Sequence, residues 1–170
     1  MSDDATPDTK PRKGSRRTAA RVLAVQALYQ IDMSGADTAE VIKEFRAHRL
    51  GSGKDAPDAK LFARIVASGG TRQAEIDALL RPALAESWAL ERIDAVMRGL
   101  LRAAIAELLD LTDTPARVIL NEYMHVSHSF FPAKETRFAN GVLDRLARQL
   151  RPAEIGPDED KPGGRRQTER

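Results

Sequence analysis

Apolar side chains recur along most of this chain at helical spacing, and no stretch shows the strict alternation of a half-buried strand. The first periodic stretch runs from Arg16 to Asp32. Ala19, Val22, Gln26 and Tyr29 form one stripe with Leu23 and Ile31 beside it, and Gly35 follows as a stop. A second helix is predicted from Thr38 to Arg49, with Asp37 and Glu40 spaced like a capping box and Val41, Ile42 and Phe45 facing inward. After Gly51-Ser52-Gly53, a third helix opens at Asp55–Asp58 with Pro57 in its first turn, and Leu61, Phe62, Ile65 and Val66 make its apolar face. Gly69-Gly70 either ends it, or the pattern continues through Ile76, Leu79 and Leu80 as one kinked helix up to Pro82.

The stretch from Leu90 to Leu109 is the most apolar, with Ile93, Val96, Met97, Leu100, Leu101, Ala104, Ile105 and Leu108 spread around it. A helix of that kind belongs at the centre of a bundle. Thr114-Pro115 supplies an N-cap and an N1 proline for a helix to Phe130, and Pro132 breaks it. The last helix, Lys134 to Leu150, carries Phe138, Val142, Leu143 and Leu146 at core spacing. The pattern predicts an all-α helical bundle over residues 15–151. A polar arm over 1–14 and a charged tail over 152–170 show no periodicity and are expected to be disordered.

Composition narrows the class. The 170 residues hold 42% apolar and 5% aromatic side chains, enough for one aliphatic core. The absence of cysteine excludes disulfides and thiolate metal sites. No run reaches the roughly 18 apolar residues of a membrane span. The N-terminus lacks the apolar stretch of a secretory signal, so a cytoplasmic protein is expected.

The net charge of +2 matters less than its distribution. Between Lys10 and Ile31 stand six cations (Lys10, Arg12, Lys13, Arg16, Arg17, Arg21) and no acidic residue. Cations at a helix N-terminus oppose the macrodipole, and Arg17 with Arg21 is a like-charge i,i+4 pair. Together these effects cost about 1 kcal/mol, a conflict that an anionic ligand relieves. Phosphate contact by the arm and first turn is the functional reading, and a solvated basic arm the bland one.

Catalytic chemistry finds little support. His125 and His128, with Glu122 upstream, lack the His-Glu-x-x-His spacing and a fourth ligand, and His48 suits a helix C-terminus without further role. Gly51-Ser52-Gly53 lacks the rest of a phosphate loop, and Ser127 and Ser129 lie mid-helix, not on a nucleophile elbow. Asp144 and Arg148 form an ordinary helical pair. Trp88, between two helices, has the position of a site aromatic, with a core or loop anchor as the preferred reading.

Three segments carry a resemblance: RRTAARVLAVQALY at 16–29, RGLLRAAIAEL at 98–108, and Val118–Ala147 with Asn121-Glu122 and RFANGVLDRLA at 137–147. In order and spacing they resemble the NusB family of bacterial transcription antitermination factors over about residues 16 to 150. The resemblance implies an all-α fold of about seven helices in two packed sub-bundles, without enzymatic activity, cofactor or metal. It also implies binding of single-stranded boxA RNA jointly with the ribosomal protein NusE, within an RNA polymerase antitermination complex that reads through terminators, notably in ribosomal RNA operons. Matched position by position, the RNA surface would comprise Arg12, Lys13, Arg16, Arg17, Arg21, Tyr29, Lys134, Arg137 and Phe138. Cations hold phosphates and aromatic faces take unstacked bases. Tyr29 and Phe138 also fall on apolar stripes, so a core role stays open for both. Met97, Arg98, Leu101 and Phe130 align with the NusE-facing region.

Two positions depart from the pattern: Met97 stands where many members are acidic, and Lys134 where some are. Two other readings compete with the RNA-binding factor. The chain could be the NusB-like domain of a ribosomal RNA cytosine methyltransferase, which needs a Gly-rich cofactor turn and catalytic cysteines that these residues lack. Alternatively it is a protein-interaction module, a homodimer with only non-specific affinity for RNA.

Overall fold

A computed structural model describes residues 13–85 and 88–156. Most of the expected arm (1–12) and the charged end from 157 lie outside the described residues. The elements among those described are all helical: α1 (Lys13–Ser34), α2 (Thr38–His48), α3 (Ala59–Thr71), α4 (Gln73–Ala83), α5 (Ala95–Asp110), α6 (Ala116–His128), α7 (Ala133–Leu150) and the single turn α8 (Pro152–Ile155). A 3-10 turn at Leu90–Arg92 leads into α5. α1, α2 and α3 pack as one sub-bundle and α4, α6 and α7 gather around α5 as the other, with α5 also lying along α1 and α3. Every residue of α5 from Gly99 to Leu108 is buried, as its all-round apolar pattern predicts.

α1 and α5 run antiparallel, because Arg21 meets Glu107 at one end and Asp32 meets Arg98 at the other. The buried face of α1 is Ala20, Ala24, Val25, Ala27, Leu28 and Ile31, rotated from the stripe the sequence suggested. Ala19, Val22 and Gln26 lie half-buried on the flank and Tyr29 is exposed. Close approach selects this seam: a Cβ on Gly99 would stand 2.9 Å from the Val25 carbonyl oxygen, so only small residues let the two backbones meet. Alanine adds little apolar signal, which is why the sequence pattern misplaces the stripe.

Gly69 and Gly70 sit inside α3, not at its end. A Cβ on Gly69 would reach 2.8 Å from Leu28 Cδ1, and one on Gly70 would collide with Thr38. These glycines serve packing on α1 and α2, and the break falls at Arg72, the single residue between α3 and α4. Pro82 lies within the last turn of α4 instead of ending it from outside.

The caps follow the sequence in part. Asp37 accepts from the Glu40 N–H at 3.2 Å and Asp58 from the Leu61 N–H at 3.0 Å. Pro57 therefore precedes the cap of α3 and does not occupy its first turn. Gly35, with φ 68°, ends α1 as expected.

α6 starts one residue later than the Thr114-Pro115 reading. Thr114 is buried, and the Ala116 N–H donates to Glu154 of α8 at 3.1 Å. Arg151, also buried, donates to the carbonyls of Glu107, Leu108, Leu111 and Thr114, pinning the C-terminal end of α5 and the turn that follows it. The ordered region thus extends past the expected boundary at 151 to include α8, whose Ile155 is buried.

Candidate nucleic-acid interface

The basic start of α1 divides into two kinds of arginine. Arg16 is exposed, its Nε donates to the Ala56 carbonyl at 2.7 Å, and its own carbonyl accepts from the Asp58 N–H at 3.1 Å. These bonds tie the first turns of α1 to the loop before α3. Arg17 is half-buried, with an Nε that makes no hydrogen bond. Neither has a carboxylate partner among the described residues.

Arg21, one turn on, is only 2% exposed. It donates to both Glu107 oxygens, at 2.8 and 2.9 Å, and its Nη1 stands 3.4 Å from Glu122. Thr18 donates to Glu122 at 2.8 Å. Burial disfavours the Arg21 charge, but the hydrogen bonds and attraction of Glu107 outweigh it and hold its pKa above the ordinary guanidinium value. The Tyr123 phenol beside it is pushed well up, first by burial and then by the Glu107 charge.

The expected phosphate contact at Arg21 is therefore corrected. Its guanidinium is an interior strut between the sub-bundles, and reaching a ligand would leave Glu107 buried and unpaired. The structure itself resolves the Arg17–Arg21 conflict with carboxylates from α5 and α6. Of the other expected cations here, Arg12 lies outside the described residues, and for Lys13 the backbone alone is described, as the first residue of α1.

The second group of expected RNA contacts opens α7. Lys134 and Arg137 are exposed, without carboxylate partners among the described residues, and Phe138 is half-buried. The Phe138 ring packs on Trp88, centroids 5.4 Å apart with planes tilted by 37°. Trp88, expected as a core or loop anchor, is 51% exposed. It walls a cleft of about 290 Å³ together with Ile93, Met97, Phe131, Lys134 and Phe138.

The two groups stand at opposite ends of the α1–α5 pair. Glu107, level with Arg21, and Met97, which lines the cleft, are separated by about 15 Å of helix, and Arg16 lies about a turn farther still. Tyr29, 38% exposed, emerges beside the start of α5. At 100° per residue it points about 140° around α1 from Arg16, so no single helix face carries all the expected contacts.

The expected partner residues are mostly interior. Leu101 is fully buried, Met97 is 3% exposed and Phe130 packs half-buried against the core. Arg98 is held by Asp32, with Nε at 3.0 Å, and by the Ile93 carbonyl at 2.7 Å. Of this set, Leu101 is enclosed, while Met97 borders the cleft beside Trp88 and Phe130 lies beyond the end of α6.

Sequence reasoning missed the partners that fix these arginines. Asp32 also lies 3.3 Å from Arg102, which makes a two-bond pair with Asp77 at 2.8 and 2.9 Å. The available signal was Arg102 and Glu107 inside an otherwise apolar helix, since buried charges demand partners. His125 and His128 are exposed while Glu122 turns toward α1, and the described residues contain no group of three placed to hold a metal ion. No described helix is long and apolar enough to cross a membrane.

A model of the NusB family matches residues 18–148. The chain is 43% identical over 153 residues to the transcription antitermination protein NusB of Allorhizobium ampelinum, which spans 86% of this chain and 96% of that one. It is 45% identical over 151 residues to the protein of the same name from a Bradyrhizobium species, spanning 86% and 89%. Among solved structures, it superposes on a chain from antitermination factors NusB and NusE in complex with double-stranded RNA, with TM-score 0.69 and 25% identity over 79% of this chain and 97% of that one. The T. maritima NusB structure superposes with TM-score 0.67 and 27% identity over 83% and 95%.

Proposed function

The chain belongs to the NusB family, and we propose on that footing that it is a non-enzymatic transcription antitermination factor that binds single-stranded boxA RNA together with NusE. In this reading the complex joins RNA polymerase in the cytoplasm and carries it through terminators, notably in ribosomal RNA operons. No cofactor or metal enters the proposal.

The observation that carries it is the pairing state of the basic residues. Arg21, Arg72, Arg81, Arg98, Arg102, Arg148 and Arg151 all lie against carboxylates. Arg16, Arg17, Lys134 and Arg137 have none among the described residues, as is true of surface cations such as Lys60 and Arg117, but these four stand in pairs in the first turns of α1 and α7, where helix N–H groups also favour an anion. Four cations without counter-charge suit phosphates, to which arginine donates in a bidentate fork. Arg12 and Lys13 extend the same cluster toward the arm in the proposal.

The related NusB–NusE complex was solved with double-stranded RNA. A single strand is favoured here because Tyr29 and Phe138 are accessible aromatics, and only unpaired RNA offers bases free to stack on them. The test is fluorescence anisotropy with labelled boxA RNA, a scrambled strand and the boxA duplex, at fixed near-physiological salt, with and without NusE. Selective binding of the boxA strand, strengthened by NusE, is the expected result. Equal affinity for all three RNAs with NusE present would contradict it.

A further inference from the structure

Asp158-Glu159-Asp160 is the one place in the sequence where three acidic residues stand in a row. The run begins two positions after Gly156, the last of the described residues, so α8 fixes where it is tethered.

That tether lies at the same end of α5 as the basic turn of α1. Arg151, which opens α8, donates from Nη2 to the Glu107 carbonyl at 3.2 Å. The carboxylate of the same Glu107 holds Arg21, one turn from Arg17. α6 joins the two places a second time. Glu154 of α8 accepts from the Ala116 N–H, and Glu122, about 9 Å farther along α6, accepts from Thr18 of α1. From Gly156, extended chain carries the run to a distance of at most about 14 Å.

Charge selects the occupant of the basic turn in the free protein. Arg16 and Arg17 have no carboxylate partner among the described residues, and the only hydrogen bond of the Arg16 side chain is the one from Nε to Ala56. Three carboxylates on a short tether stand near them at an effective concentration in about the millimolar range, enough to populate exposed ion pairs that are individually weak. We propose that Asp158–Asp160 lies on Arg16 and Arg17 when no RNA is bound, and that RNA displaces it. The contact is independent of the proposed function, whereas its role as a gate rests on the RNA-binding reading.

The chain has no cysteine, so a nitroxide on Gly163→Cys labels a single place beside the run. In the full chain it should broaden the amide signals of residues 15–20. Neutralising the run by Asp158→Asn, Glu159→Gln and Asp160→Asn together should remove at least half of that broadening. Broadening that is unchanged by neutralisation, or centred on Arg117 in the first turn of α6, overturns the contact.

The neutralised chain, which keeps Lys161, Arg165 and Arg166, should bind labelled boxA RNA roughly two- to tenfold tighter at fixed salt. That gain should vanish in the background of Arg16→Ala with Arg17→Ala, because the two changes act on one contact. A gain of the same size in that background reflects overall charge alone and overturns the gate. Loss of broadening on neutralisation, with no RNA bound by any variant, overturns the RNA reading and leaves the contact standing.

Discussion

Arg17 and Arg21 stand one turn apart on α1 in opposite surroundings. Arg21 is enclosed between Glu107 and Glu122, carboxylates brought from α5 and α6, and only 2% of it is exposed. Arg17, with Arg16 before it, meets no carboxylate among the described residues. The sequence neighbourhood of all three is the same basic run. What separates their surroundings is the end of α5 that reaches them: the interior junction demands charge balance, and the first turn, beyond that junction, leaves its cations without carboxylates among the described residues. The same contrast recurs between Arg98, locked to Asp32 at the far end of the seam, and Lys134 at the neighbouring start of α7.

The largest effects should come from breaking the interior side of this comparison. Glu107→Ala leaves the buried Arg21 only the longer contact to Glu122 and should cost about 3 kcal/mol in urea unfolding, whereas the paired replacement Arg21→Met with Glu107→Leu should recover most of that loss. Next comes Gly99→Ala, which drives a methyl group toward the Val25 carbonyl and forces α1 from α5, at about 1–3 kcal/mol of stability. Its melting temperature should fall even though alanine is the better helix former.

A smaller, pH-dependent effect follows from Tyr123. Its pKa in the folded chain is raised well above the 10.0 of the free phenol, so the folded state holds this proton where the unfolded state has released it. The resulting stability is complete below about pH 10 and declines above it, by at most about 1.4 kcal/mol per pH unit. Urea unfolding from pH 8 to 11 measures that slope, and Tyr123→Phe should flatten it. Smallest of all, Arg16→Ala with Arg17→Ala should leave stability within about 0.5 kcal/mol per site, because neither pairs with a carboxylate and the one side-chain bond lost, from Arg16 to Ala56, lies at the surface. A large loss there would erase the distinction between the two kinds of arginine.

Much of the fold was legible because its signals are local. The all-round apolar pattern that marks α5 as central, the Asp37 cap and the Gly35 stop each depend on residues a few positions apart. The buried face of α1 was not legible, since its seam is set by alanines meeting Gly99, and closeness of backbones leaves little hydrophobic trace. The end of α3 is hidden for the same reason: Gly69 and Gly70 look like a stop but are cut to fit Leu28 and Thr38.

At the interface, composition located the basic first turn, while the family resemblance alone pointed to Lys134, Arg137 and Phe138. Removing Arg21 from the RNA-facing set needs Glu107, 86 positions away, and no local pattern encodes that pairing. Trp88 was undervalued because exposure is a property of the assembled helices. Of the four expected partner residues, Met97, Arg98 and Leu101 were matched by position along α5, and the burial of Leu101 there is set by helices distant in sequence.

The most direct test of the central claim measures boxA RNA affinity against salt for the unmodified chain and for Arg16→Ala with Arg17→Ala. If these arginines hold phosphates, the double variant binds more weakly at every salt concentration. Its log–log slope is then shallower by about 1.4, roughly 0.7 for each phosphate of a single strand that is no longer neutralised, with melting unchanged. An unchanged affinity and slope would contradict the account and return the basic turn of α1 to the role of a solvated surface.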